Sequence, residues 1–263
     1  MYSTAKRADL EALLRTRRLD RTVVDPAAAP PIDALAPTGL PIIDTALRGG
    51  FPRGQLSELI GARSSGRTTV LHAACAAATS RGELVAVVDS LDMFDPVSAA
   101  DAGVDLDRLL WVRGSVGAHG SPGSLGLTGH ASQGSLLQEA CERAIKAFNL
   151  ILVAGGYGMA VLDLADIPAI VLRRIPIITW LRLQRGLEGR ETAGLVIADT
   201  HLGRSARGVT LELASASPTT STSTASTMST TFAQSSPWAL PPFELTVARC
   251  QRAAGLPARP ALR

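Results

Sequence analysis

With 263 residues the chain can bury one large core or two small ones. Its 46% apolar and 19% charged residues exclude a wholly disordered chain, and aromatics at 4% leave few rings for base-stacking platforms. The net charge of +3 sits on the ends: residues 1–30 carry six basic and four acidic groups, residues 237–263 four and one, and the middle is slightly acidic. No apolar run reaches the roughly 18–20 residues of a membrane span, and the N-terminus lacks the apolar segment of a secretory signal. Cys75, Cys141 and Cys250 have no metal-ligand spacing, so the expectation is reduced thiols in a cytoplasmic protein.

Residues 4–19 read as a helix with a narrow apolar stripe (Leu10, Leu13, Leu14) beside Lys6, Arg7, Arg15, Arg17 and Arg18. A stripe that narrow packs on something beyond its own helix, so residues 1–24 are expected to form an arm for an oligomer or a partner. Residues 25–37 read as a Pro/Ala linker. Residues 38–252 form the expected core and residues 253–263 a basic tail.

Within the core, strand and helix alternate. Leu56–Ile60 predicts a strand, Gly66–Ser80 a helix, Leu84–Asp89 a strand, Asp95–Ala102 a short helix and Leu109–Val112 a strand. Leu136–Val153 predicts a long helix stopped by Gly155-Gly156. Met159–Leu162 predicts a strand ending at Asp163, Ile177–Leu187 a helix and Leu195–Ala198 a strand. Continuous apolar strands between helices predict an α/β fold with a mostly parallel sheet covered on both faces. Val209–Leu213 and Phe243–Ala248 alternate instead, as a half-exposed antiparallel pair does. Two low-complexity stretches, 114–134 and 215–236, are expected to be flexible loops; the second is Ser or Thr at 15 of 22 positions.

The motif with chemical content follows the first core strand: Gly61-Ala62-Arg63-Ser64-Ser65-Gly66-Arg67-Thr68-Thr69. A phosphate loop reads GxxxxGK[ST], and this one matches except that Arg67 replaces lysine. Glycines let successive N–H groups curl around phosphates, and the following helix points its positive end at them. Thr68 would supply a hydroxyl to Mg²⁺, and Asp163 closes an apolar strand as the Mg²⁺-positioning aspartate of such proteins does. A Gly/Ser-rich strand-to-helix turn without function, and a buried strand that happens to end in Asp, fit the same residues. The candidate ATP-binding set is therefore Gly61, Ser64, Ser65, Gly66, Arg67, Thr68, Thr69 and Asp163, with Thr68 and Asp163 as the Mg²⁺ pair.

Residues 38–113 resemble the nucleotide-binding core of the RecA family, and residues 136–252 resemble it loosely. The similar stretches are TGLPIIDTALRGGFPRGQLSELIG, GARSSGRTT and VVDSLDMFDPVSAADAGVDLDRLLWV, with VTLEL and FELTVARC as the last core strands. The resemblance implies a RecA-like phosphate-loop fold, and the departures from it bear on activity. Arg67 stands where RecA has its lysine, and Arg is planar and bulkier. Leu91 stands where RecA has the glutamate that activates water, with Asp92 adjacent. Asp199-Thr200 stands where RecA has its γ-phosphate-sensing Asn-Gln pair, and both DNA-binding loops look short.

Residues RRIPIITWLRLQRGLEGRETAGLVIADTHLGRSARGVTLEL resemble the ImuA group of short RecA-like proteins. That likeness implies a non-catalytic or weakly catalytic adaptor in SOS-induced translesion synthesis and mutagenesis. Its implied partners are an ImuB-like Y-family polymerase homologue, RecA, further copies of itself and single-stranded DNA. The alternatives are a working DNA-dependent ATPase that assembles on single-stranded DNA, with Arg67 and Asp92 replacing lysine and glutamate, and a protein-binding regulator of the RecA/KaiC-like class. Arg173, Arg174, Arg182, Arg185 and Arg190 are expected to cluster around Trp180; Arg182 and Arg185 share a helical face that either meets DNA phosphates or is simply solvated. Arg249 stands where RecA has a lysine that reaches a neighbour's nucleotide.

Overall fold

The computed structural model describes residues 34–114, 130–202, 208–215 and 243–249, the last stretch, 130–133 and 215 as backbone only. All of them belong to one compact unit, residues 32–263. The expected arm at 1–24, most of the linker, the Ser/Thr stretch, Cys250 and the basic tail lie outside the described residues.

Seven strands form the sheet. β3 (Leu56–Gly61), β4 (Val85–Asp89), β5 (Leu109–Arg113), β6 (Met159–Asp163), β7 (Ala193–Ala198), β8 (Val209–Ser215) and β9 (Phe243–Arg249) lie in the order β5-β4-β6-β7-β3-β8-β9. All neighbours are parallel except β8 and β9. The first two strands, β1 (Leu35–Ala36) and β2 (Phe51–Pro52), form a separate antiparallel pair. Strand periodicity then divides the core. Val85, Val87, Met159, Val161, Leu195 and Ile197 pack on one side of the sheet with α2 (Arg67–Ser80), an alanine-rich helix former. Their alternates Ala86, Val88, Ala160, Leu162 and Val196 pack on the other with α4 (His130–Ala154) and α6 (Ile177–Leu187). Both faces are covered, as the continuous apolar strands require.

The shorter helices complete the layers. α1 (Pro41–Leu47) starts on a proline, and its Asp44 carboxylate accepts from the backbone N–H of Thr38 and Gly39 at 2.7 and 3.1 Å. Asp95 caps α3 (Pro96–Asp101) by accepting from Val97 and Ser98 N–H. α5 (Ala169–Leu172) is a single turn before α6. At the N-terminal ends of the strands, the Arg53 guanidinium donates to the carbonyls of Leu35, Gly158 and Glu191 and to the Glu83 carboxylate.

Two sequence expectations are corrected. Residues 130–134, read as part of a low-complexity loop, are the first turn of α4: once Leu136 onwards is helical, extension toward the N-terminus adds a hydrogen bond for each residue fixed. Leu35 and Ala36, read as linker, are a buried strand. Gly155 and Gly156 do end α4, with φ of +70° and +84°. Among the described residues no helix is long and apolar enough to cross a membrane.

Candidate phosphate-binding site

The sheet register gathers the site. Asp89 is the partner of Asp163, Asp163 of Ile197, and Ile60 of Ala198, so the C-terminal ends of β3, β4, β6 and β7 lie along one edge. Gly61 through Thr69, Asp163 and Asp199 therefore converge although up to 138 positions separate them in sequence. Such an edge is where ligands bind open α/β sheets.

The loop has the backbone of a phosphate cradle. Ser64 is left-handed at φ +61°, and Gly66 sits at φ +96° as the residue before α2, with no side chain capping the helix. The first N–H groups of α2 thus point out of the helix end without internal partners. A Cβ on Gly61 would lie 2.3 Å from the Ser65 hydroxyl oxygen, so the strand can turn there only as glycine. Ser65 is buried and its hydroxyl has no partner among the described residues. Thr68 is exposed on the first turn, Thr69 half-buried.

The charges around this cradle are internally matched. Arg67 is buried, and its guanidinium donates to the Asp199 carboxylate beyond β7. The same Asp199 oxygen accepts from the Asp166 N–H at 3.2 Å. Asp166 in turn receives two hydrogen bonds from Arg63, at 2.9 and 3.2 Å. Both arginines of the loop are thus neutralised by carboxylates from the loops after β6 and β7. Burial pushes the Asp163 carboxyl up to about 6, with Asp89 raising it further, against the Ala165 N–H and Arg67, which lower it.

The two positions that could activate water are also accounted for. Leu91, where the resemblance to RecA expects glutamate, packs against the apolar cluster under α4. Asp92 is left-handed at φ +59° and is gripped by both arms of Arg113 at 2.8 Å. The hydrogen bond from Arg113 holds the Asp92 carboxyl below the usual aspartate range, opposite to what a general base near neutrality needs. Arg113 itself lies 4.6 Å above the Trp111 ring. Burial raises the Cys75 and Cys141 thiols to about 12, so neither is a nucleophile.

ATP with Mg²⁺ fits this site in its backbone and not in its charge. The N–H groups of Gly66–Thr69 would hold phosphate oxygens, that of Ser65 donating to the Ala62 carbonyl at 3.2 Å, and Thr68 with Asp163 would hold the metal, which would supply charge neutralisation at the phosphates. The cation that should meet those phosphates, however, is bound by Asp199. Sequence reading named Arg67 and Asp199 as separate departures and missed their pairing and Asp166; a lost lysine beside a gained aspartate was the signal. Arg182 and Arg185 lie on α6, on the other side of the sheet from α2, and take no part in the site. Trp180 itself is buried in the apolar cluster on that side of the sheet. Arg174 binds Gln138, and Arg190 binds the Val153 carbonyl.

Strand order, phosphate loop and the following helix define a RecA-like phosphate-loop fold. Residues 21–120 match the family model of the RecA N-terminal domain. The chain is 46% identical over 74 residues to the RecA protein of Prochlorococcus marinus (strain MIT 9303), and 45% identical over 73 residues to those of Synechococcus sp. (strain CC9605) and Parasynechococcus marenigrum (strain WH8102). Each match covers 28% of this chain and 20% of the relative, so the chain spans about a fifth of the length of the curated relatives it matches. Over that stretch it is RecA-like in sequence as in fold.

Proposed function

We propose that this protein is a RecA-like accessory factor of DNA repair, an adaptor in damage-induced translesion synthesis of the ImuA kind, with a phosphate loop that contributes to the fold more than to hydrolysis. The observation that carries this reading is the Arg67–Asp199 pair. A phosphate-loop cation held by the chain's own carboxylate must be released before it can meet a phosphate, and that release costs desolvation and a charged hydrogen bond. Leu91 and the engaged Asp92 support the same conclusion, because neither offers a base for the attacking water.

Weak nucleotide binding follows, with a dissociation constant for ATP·Mg²⁺ above about 10 μM. Isothermal titration measures it directly. Replacing Arg67→Lys together with Asp199→Asn frees the site of its internal ion pair and should tighten ATP at least tenfold. Phosphate release with single-stranded DNA should stay below about 0.1 s⁻¹, whereas working enzymes commonly reach ~1 s⁻¹ and above. Turnover in that higher range, lost on Asp163→Ala, would establish the DNA-dependent ATPase instead. The adaptor role is tested by co-purification with a Y-family polymerase homologue; a chain that binds neither it, RecA nor itself is no such adaptor.

A further inference from the structure

On the side of the sheet away from α2, α4, α5 and α6 enclose an open groove of about 410 Å³. Its α4 wall is a stripe through Gln138, Cys141, Ile145 and Asn149, at helical spacings of three and four, with Leu150 beside its end. The twelve steps from Gln138 to Leu150, at 1.5 Å each, give it a length of about 18 Å, or three helical turns. The floor is apolar and buried, formed by Cys141, Ile145, Val171, Ile175 and Leu183. Leu150, which also lines the groove, is 68% exposed.

Lys146, Arg174 and Arg182 line the same groove, opposed by Glu142 alone. Arg174 and Glu142 are bridged by Gln138 at 3.2 and 3.1 Å. For Lys146 and Arg182 no hydrogen bond or ion pair occurs among the described residues. The rim therefore carries a net positive charge over an apolar floor.

None of the chain outside the described residues complements that rim. Residues 1–33 carry six basic groups against five acidic, residues 250–263 are basic, and 203–207 contain two arginines and no acid. Residues 115–129 and 216–242 carry no charge. A nucleic acid would answer the cations but would gain nothing from Ile145, Leu150 and Leu183. We propose that this groove docks an acidic amphipathic helix of a partner protein, with apolar side chains at i, i+3, i+4 and i+7 on the floor and carboxylates against Lys146, Arg174 and Arg182. Binding here goes beyond the phosphate-loop reading and does not depend on nucleotide.

The test is a display selection on the full chain, using sixteen-residue helices with leucine fixed at i, i+3, i+4 and i+7 and all other positions randomised. The enriched pool should carry Asp and Glu at least about twice as often as the starting pool. The strongest peptide should then bind Lys146→Glu/Arg182→Glu roughly tenfold or more weakly, as loss of steering and pairing charges implies. Lys146→Gln/Arg182→Gln, which alters charge without reversal, serves if the first variant melts early, and should weaken binding severalfold. Shuffling the leucines of that peptide should abolish binding. Failure to enrich, enrichment of basic residues, or unchanged affinity in the charge variants overturns the proposal. So does a selected peptide displaced by no variant while a twenty-nucleotide single strand loses affinity in both, which makes the face a nucleic-acid surface.

Discussion

The phosphate-loop edge and the α4–α6 face both concentrate arginine, yet they dispose of its charge in opposite ways. At the loop, Arg63 and Arg67 are bound by Asp166 and Asp199. On the helical face, Lys146 and Arg182 flank an apolar groove without a described partner. A cation satisfied within the chain contributes to the fold, and one left unmatched is available to another molecule. In the reading proposed above, the phosphate-loop edge serves the fold and the opposite face serves recognition.

Severing the loop pair should produce the largest effect. Asp199→Ala leaves the Arg67 guanidinium, at 9% exposure, without its carboxylate. Losing one partner of a buried pair costs 3–5 kcal/mol, and Asp199 is itself 35% exposed, so about 3 kcal/mol is expected in chemical unfolding. A loss below about 0.5 kcal/mol would erase the contrast between the two regions. Replacing both residues by apolar ones, Arg67→Met with Asp199→Leu, should recover most of that loss.

A smaller, pH-dependent effect comes from Asp163. Its carboxyl titrates near 6 in the folded chain against an ordinary 3.8, so the folded state keeps a proton that the unfolded state releases between about pH 4 and 6. The contribution of Asp163 to stability is therefore largest below about pH 4 and falls by about 2–3 kcal/mol as pH rises to 6, opposite in sign to that of Glu83, Asp92 and Asp95, whose carboxyls are held low. Asp163→Asn should flatten that slope and raise stability at pH 7, as read from unfolding curves at pH 4, 5, 6 and 7. A difference between wild type and Asp163→Asn that stays constant from pH 4 to 7 would contradict the burial of the carboxyl.

The smallest effects belong to the helical face. Arg182→Ala and Arg185→Ala should each change unfolding by no more than about 0.5 kcal/mol, as surface substitutions without partners do. A clear destabilisation at either would mean that the face is structural too.

Much of this was legible from residues close in sequence. The β3 turn into α2, the strand ending at Asp163, and α6 at Ile177–Leu187 follow from local apolar runs and glycine positions. The short elements were hidden: α1 has seven residues and depends on Asp44 capping backward onto Thr38 and Gly39. The start of α4 was hidden because three of the five residues of its first turn, His130, Ser132 and Gly134, are poor helix formers. The ion pairs were least legible. Arg67 and Asp199 are 132 residues apart, and Arg63 and Asp166 are 103. Only the strand order β6-β7-β3 makes them neighbours.

Arg53 carries a consequence for how the chain reaches this state. Its four partners lie 18, 30, 105 and 138 positions away, so its hydrogen bonds close some of the longest loops in the fold. Contacts of such sequence separation are slow to form because the intervening chain must first be ordered. The guanidinium therefore engages after the strands have met, and its grip governs escape from the native state more than arrival at it. Lysine at this position, with one compact charge in place of a planar fork of five donors, would leave the refolding rate nearly unchanged and shorten the lifetime of the folded molecule.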